Sequence, residues 1–267
     1  EMKNTYQFIV VNLIITALIL ILKIPIEKAL LSFDLAPKLA DLIGGIITRI
    51  VLVVYFINLV KGLNLRNFNG VSSTARVRNL QALIIPVGII VLMFISNFTK
   101  YKEADLVVLL FFAVSVLLIG LVEELLFRGI FLPLLLKKFQ SKKYAVLLAM
   151  VISSLLFALF HYFNLLKAEA NFGSVTSQVI FAFFIGLFLA GLLLRTGNII
   201  LVAIYHALFN FTFGAKILKE ANMLDTANND LDFCSVVFSL VIYAFIGLSG
   251  VWMGSMTKKE ELDKAYI

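Results

Sequence analysis

The sequence predicts an all-α, polytopic membrane helix bundle of about eight transmembrane helices, and three observations carry that prediction. Hydrophobic residues make up 61% of the chain and charged residues 15%, with a mean hydropathy of +1.02, far from the usage of a soluble domain. Apolar stretches of the length a helix needs to cross a bilayer, roughly 17 to 25 residues, recur from end to end. Lysines and arginines gather between those stretches rather than within them.

The apolar stretches cover residues 8–22, 42–60, 80–96, 106–136, 144–165, 175–194, 199–217 and 233–253. The first is read as a retained span, because the KIPIEKALLSF that follows offers no small-residue cleavage site. The fourth is longer than a crossing requires. The connectors are too short to fold on their own, so the chain is expected to be one domain, 1–267, with a motif-bearing core over 106–215. No internal repeat stands out.

With the N-terminus inside, 13 basic residues fall on the inner side, among them Lys61, Arg66, Lys137, Lys138, Lys142, Lys143 and Lys258, against 8 outside. Positive loops stay cytoplasmic, so both termini are expected there. The net charge of +7 follows from this topology and from contact with anionic membrane lipid, and calls for no nucleic acid. The single Cys234 allows no intrachain disulfide and no thiol cluster, and reads as a small apolar residue. A composition rich in Ile, Lys, Asn and Phe points to an AT-rich bacterial genome, and hence to a bacterial cell membrane.

An ionisable side chain inside a span costs roughly 2.5 to 3.5 kcal/mol on insertion scales, so the few present mark a working site. They are Arg49, then Glu123, Glu124 and Arg128 in LVEELLFRG, then His161 in FALFH and His206 with Asn210 in HALFN. On a helix Glu124 and Arg128 share a face and can pair, while Glu123 is turned about 100° away and left uncommitted. A carboxylate free of a partner in a poorly hydrated site is a natural proton acceptor. His206 and Asn210 are also four apart, and their shared face can donate two hydrogen bonds to one oxygen.

Glu123 and His161 lie about equally far, roughly 28 Å, from the lysine-rich turn KKFQSKK, so an antiparallel hairpin brings them to one level. His206 lies only about 13 Å from the turn at Gly197-Asn198, which implies that the hairpin extends past the membrane or bends near Pro133. Plainer roles are read for the rest. Arg49 snorkels or pairs with an acid, Phe157, Phe181, Phe183 and Phe184 supply bulk, and Gly186 and Gly191 permit close helix contact.

Glu-Glu-x-x-x-Arg (Glu123, Glu124, Arg128), Phe-x-x-x-His (Phe157, His161) and His-x-x-x-Asn (His206, Asn210), in this order on successive spans, resemble the three motifs of the CPBP family. These are intramembrane proteases related to the eukaryotic CAAX prenyl endopeptidase, with bacterial members, also called Abi proteins, tied to bacteriocin maturation and self-immunity. The resemblance implies an endopeptidase in which Glu123 and His161 bind and deprotonate a water, His206 and Asn210 stabilise the tetrahedral oxyanion, and Glu124 and Arg128 hold the site together.

The same atoms admit a metal reading, with Glu123, His161 and His206 as zinc ligands. The chain lacks the His-Glu-x-x-His helix that usually marks such a site, so no cofactor is expected. A reading from another class is a membrane scaffold or immunity protein that binds without cutting, or a transporter that keeps these groups as a proton path. Bacteria seldom prenylate proteins, so a bacteriocin leader, a pheromone precursor or another amphipathic peptide presented at the membrane is the expected substrate, ahead of a prenylated CAAX protein.

Overall fold

The computed structural model describes residues 2–70, 84–166, 170–218 and 233–257. The start of the third expected span, together with Arg76, Arg78, Lys167, Lys219, Lys258, Lys259 and Lys264, lies outside the described residues. Every regular element among those described is helical. The chain is an all-α integral membrane protein.

Among the described residues, five helical runs are long and apolar enough to cross a membrane: Asn4–Leu31, Pro37–Gly62, Leu106–Phe139, Ala145–Leu166 and Phe172–Thr196. Three shorter apolar helices, Val87–Ser96, Ile199–Phe213 and Ser239–Ser255, stand at the expected third, seventh and eighth spans. Against the expected count of about eight, five helices among the described residues have the full length. The 15 residues of Ile199–Phe213 rise only about 22 Å, short of a hydrocarbon core of about 30 Å.

The first run is longer than the sequence suggested. Helix α1 (Met2–Ile21) is followed after one residue by α2 (Lys23–Leu31), so the KIPIEKALL segment read as a connector is itself helical. Pro25 does not prevent this. It occupies the first turn of α2, where the N–H it lacks would have had no intrahelical partner.

Contacts divide the chain into two compact units, each assembled from separated segments. The first comprises residues 1–63, 83–125 and 200–224. It holds α1, α2, α3 (Pro37–Gly62), α5 (Ile84–Ser96), α6 (Phe98–Lys102), α7 (Leu106–Glu124) and most of α11 (Ile199–Phe213). Polar side chains tie its helices together, some buried and one pair at the surface. The Tyr55 hydroxyl donates to Asn12 Oδ1 at 2.9 Å between α3 and α1, and Lys23 pairs with Asp41 between α2 and α3. Arg49 Nη1 donates to Ser115 Oγ at 2.8 Å between α3 and α7. Helix α7 begins where Asp105 accepts from the Val108 N–H at 2.9 Å, an N-cap that satisfies one of the free donors of the first turn.

At one end of this unit Tyr101 stacks between Phe94 and Phe211, with ring centroids 5.0 and 4.9 Å away, and belongs to a cluster with Leu42, Phe112 and Val116. Its hydroxyl is buried with no hydrogen-bond partner among the described residues, and burial pushes its pKa up. A buried hydroxyl without a partner is a desolvation cost with no return.

The second unit comprises residues 64–82, 126–199 and 225–267. It contains the short α4 (Arg66–Asn69), α8 (Leu132–Phe139), α9 (Ala145–Phe160), α10 (Phe172–Thr196) and α12 (Phe233–Ser255). Helix α10 is its centre, packed against both α9 and α12. The approach to α12 is close because two glycines face each other. A Cβ on Gly191 would stand 2.0 Å from the Gly250 carbonyl oxygen, and one on Gly250 would stand 2.3 Å from Phe188 Cα. Small residues at a membrane helix contact let backbones approach and gain dispersion contacts that lipid cannot match.

Between α7 and α8 the chain winds as a π-helix over residues 125–131. Pro133 supplies the reason. Its ring would press on the carbonyl four residues earlier, at Gly129, and it has no N–H to offer that oxygen. Asn69 Nδ2 donates to the Gly129 carbonyl at 3.0 Å, and Ser153 Oγ donates to the Phe127 carbonyl at 2.7 Å. Side chains thus supply hydrogen bonds to carbonyls of the widened turn.

Two stability changes of opposite sign are expected in detergent. Gly191→Leu should lower the unfolding free energy by about 3 kcal/mol or more by forcing α10 and α12 apart, whereas Tyr101→Phe should raise it by about 1 kcal/mol. Thermal or denaturant unfolding of purified protein measures both.

Candidate active site

Glycine also sets the geometry of the first unit. One turn before the paired acids, a Cβ on Gly120 would stand 2.5 Å from the Ala203 carbonyl oxygen and 3.1 Å from the Ala207 nitrogen. Helix α11 therefore lies against α7 backbone to backbone at this level. His206, next to Ala207, is brought against the acids that follow Gly120. Sequence reasoning weighed Gly186 and Gly191 and passed over Gly120; its signal was a small residue within an apolar span, one turn from ionisable ones.

The imidazole of His206 lies between two carboxylates. Its Nδ1 is 2.8 Å from Glu124 Oε1 and its Nε2 is 3.5 Å from Glu123 Oε2. The Glu124 side chain is fully buried and that of His206 is 5% exposed, whereas Glu123 keeps 22% of its surface open. The division of labour follows from that difference. An enclosed acid can fix an imidazole, and an accessible one can meet a water or a substrate.

Asn210 lies one turn beyond His206 on α11, half-buried and on the same face. Arg49 is half-buried on α3 and feels the negative charge of Glu123 and of Asp41. These are the acids its sequence position left unnamed. The first unit thus brings together Glu123, Glu124, His206 and Asn210, with Arg49 as the nearby cation.

The second unit holds the other three motif residues, Arg128, Phe157 and His161. Arg128 belongs to the π-helical segment, is fully buried, and sets its guanidinium carbon 4.2 Å above the centre of the Phe157 ring. A planar cation over an aromatic face gains electrostatic attraction without demanding hydration. Phe157, taken from the sequence as bulk, is therefore also the aromatic platform for the motif arginine. Gly186 and Ser154 pack beside the same guanidinium.

His161 ends α9 and sits edge-on to Phe157, with centroids 4.8 Å apart. Its Nδ1 is 2.9 Å from the Phe157 carbonyl oxygen. A carbonyl only accepts, so Nδ1 carries the proton and the neutral ring presents Nε2 as a lone pair. In the first unit Glu124 Oε1 takes the place of that carbonyl at His206 Nδ1, and Nε2 faces Glu123.

Residues 105–212 match the family model described as type II CAAX prenyl endopeptidase Rce1-like. Over those residues, under half of its length, the chain is similar to Rce1-like proteins. The matched stretch begins with the N-cap of α7 and ends on α11, and so contains all seven motif residues. No curated protein and no solved structure matches the chain. Rce1-like proteins are intramembrane proteases, which places a peptide-hydrolysing family around the acids and histidines just described.

Only two histidines occur in the sequence, so selective ¹⁵N-histidine labelling yields two assignable rings. Above the pH at which both are neutral, both should report a protonated Nδ1. Glu124→Ala should then disturb the His206 signal alone, and a change in the His161 signal instead would contradict the arrangement.

Proposed function

We propose that this chain is an intramembrane endopeptidase that hydrolyses a peptide bond of a membrane-associated peptide with water activated by Glu123. The observation that supports this most directly is the pair of carboxylates astride His206, one closed off and one open, inside the stretch similar to Rce1-like proteins.

In the proposed reaction Glu123 takes a proton from water as the oxygen attacks the peptide carbonyl. The oxyanion that forms is met by Asn210 Nδ2–H and by His206 Nε2–H. Donation from Nε2 calls for the imidazolium, with one proton on each nitrogen and one carboxylate at each. Glu124 holds the Nδ1 proton throughout and keeps the ring from turning. As the intermediate collapses, the proton on Glu123 passes to the departing amine nitrogen, and the carboxylate is restored. Fixed donors of this kind are worth roughly 3 to 4 kcal/mol each in a site that excludes water.

His161 enters on its motif, and with Nδ1 donating to the Phe157 carbonyl its Nε2 would serve as a second acceptor for the attacking water. Arg128 would serve by position, clamping the π-helical segment that follows the acids onto Phe157. The bacteriocin leader, pheromone precursor or amphipathic peptide remains the proposed substrate class, in a bacterial membrane with both termini cytoplasmic. No metal is assigned a step.

The test is cleavage of a panel of membrane-associated fluorogenic peptides, including a farnesylated CAAX peptide and a Gly-Gly leader peptide, by detergent-purified protein. Glu123→Ala and Glu123→Gln should abolish turnover with folding intact, and Asn210→Ala should lower it about 10²- to 10³-fold. Activity should survive a chelator. Stoichiometric zinc with loss of activity on chelation would replace the mechanism by a metal-dependent one, and a folded wild-type chain that cuts nothing would favour the binding or immunity reading.

A further inference from the structure

A cavity of about 470 Å³ opens in the second unit at the turn between α8 and α9, where the end of α12 closes its far side. This is within the range of small-ligand sites. Its chemistry is divided. Lys137, Lys142 and Lys143 stand around it with Gln140, while Leu136, Met150 and Val251 line it from within. No acid is among the lining residues.

The division follows from the sequence. Helix α8 reads LPLLLKKF, with Leu132, Leu135 and Leu136 buried and the lysines in its last turn, so one short helix supplies both the apolar wall and the cationic rim. The lysines are exposed, and the wall is not: Leu136 and Met150 are buried. Thr257, just past α12, also lines the cavity, and its buried hydroxyl has no hydrogen-bond partner among the described residues.

The surroundings are those of a membrane surface. Tyr144 on the rim is 60% exposed, and Trp252, one turn before the end of α12, is 62% exposed. Aromatic residues of this kind mark the depth of lipid headgroups. Cations just outside a span on the positive side of a membrane protein meet the anionic leaflet.

We propose that this cavity is a binding site for one anionic phospholipid, with the headgroup phosphate among Lys137, Lys142 and Lys143 and the start of an acyl chain against Leu136, Met150 and Val251. A free phosphate would satisfy only the lysines and leave the apolar wall wet. A zwitterionic lipid would satisfy the wall while bringing its own cation to the rim. The acidic and basic tail that follows Thr257 is the other occupant the test addresses.

The experiment is native mass spectrometry of the full chain after exchange into mixed micelles of phosphatidylglycerol and phosphatidylcholine, with thermal unfolding followed in parallel. Wild-type protein should retain one phosphatidylglycerol, with a preference over phosphatidylcholine of about tenfold or more, and the lipid should raise the unfolding temperature. Replacing Lys137, Lys142 and Lys143 together by Gln should remove the preference, and replacing all three by Arg should keep it. Equal retention by wild type and the Gln variant would overturn the proposal. So would displacement of the lipid by millimolar inorganic phosphate, or binding that appears only after deletion of residues 258–267. Peptide cleavage plays no part in this readout, so the site stands or falls separately from the proposed activity.

Discussion

A charged group within a membrane has no water to answer it, and every polar contact in this protein is shaped by that constraint. Three charged or titratable groups among the described residues show how the interior answers it. Glu124 takes the Nδ1 of His206, Arg49 takes Ser115 and the charge of Glu123, and Arg128 takes the face of Phe157. Within the first unit the carboxylate of Glu123 keeps part of its surface open, beside the Nε2 of His206. The reactivity of the site is what is left after the membrane has been satisfied.

The same reasoning separates two kinds of helix contact. Where α7 meets α11, and where α10 meets α12, the contact is between backbones and depends on missing side chains. Where α1, α3 and α7 meet, it is a hydrogen bond between long polar side chains. The first kind fixes distance and the second fixes rotation. A site built from Glu123, Glu124 and His206 needs both, since a carboxylate must stand at each ring nitrogen at once.

Much of this was legible from residue types. The helical membrane class, the motif residues and the shared face of His206 and Asn210 follow from hydropathy and from a spacing of four, and each is a local property of the chain. The number of full-length spans was less legible, because an apolar run says nothing of where its helix breaks; α11 stops after 15 residues and tightens into a 3₁₀ turn over Gly214–Leu218, within the stretch expected to run to 217. The bond between Glu124 and His206 was not legible at all. It joins residues 82 apart, beyond the reach of any helical spacing rule. The π-helix was half visible, since Pro133 announced a disturbance but not its form.

Gly120 carries one more consequence. The gap between the acids and the imidazole is gauged by main-chain atoms on both sides, much as a machinist sets a clearance with a shim. Lipid-facing positions can therefore exchange one greasy residue for another without changing that clearance. The chain around the site is free to drift over generations, while Gly120 itself, silent in every chemical step, tolerates almost nothing in its place.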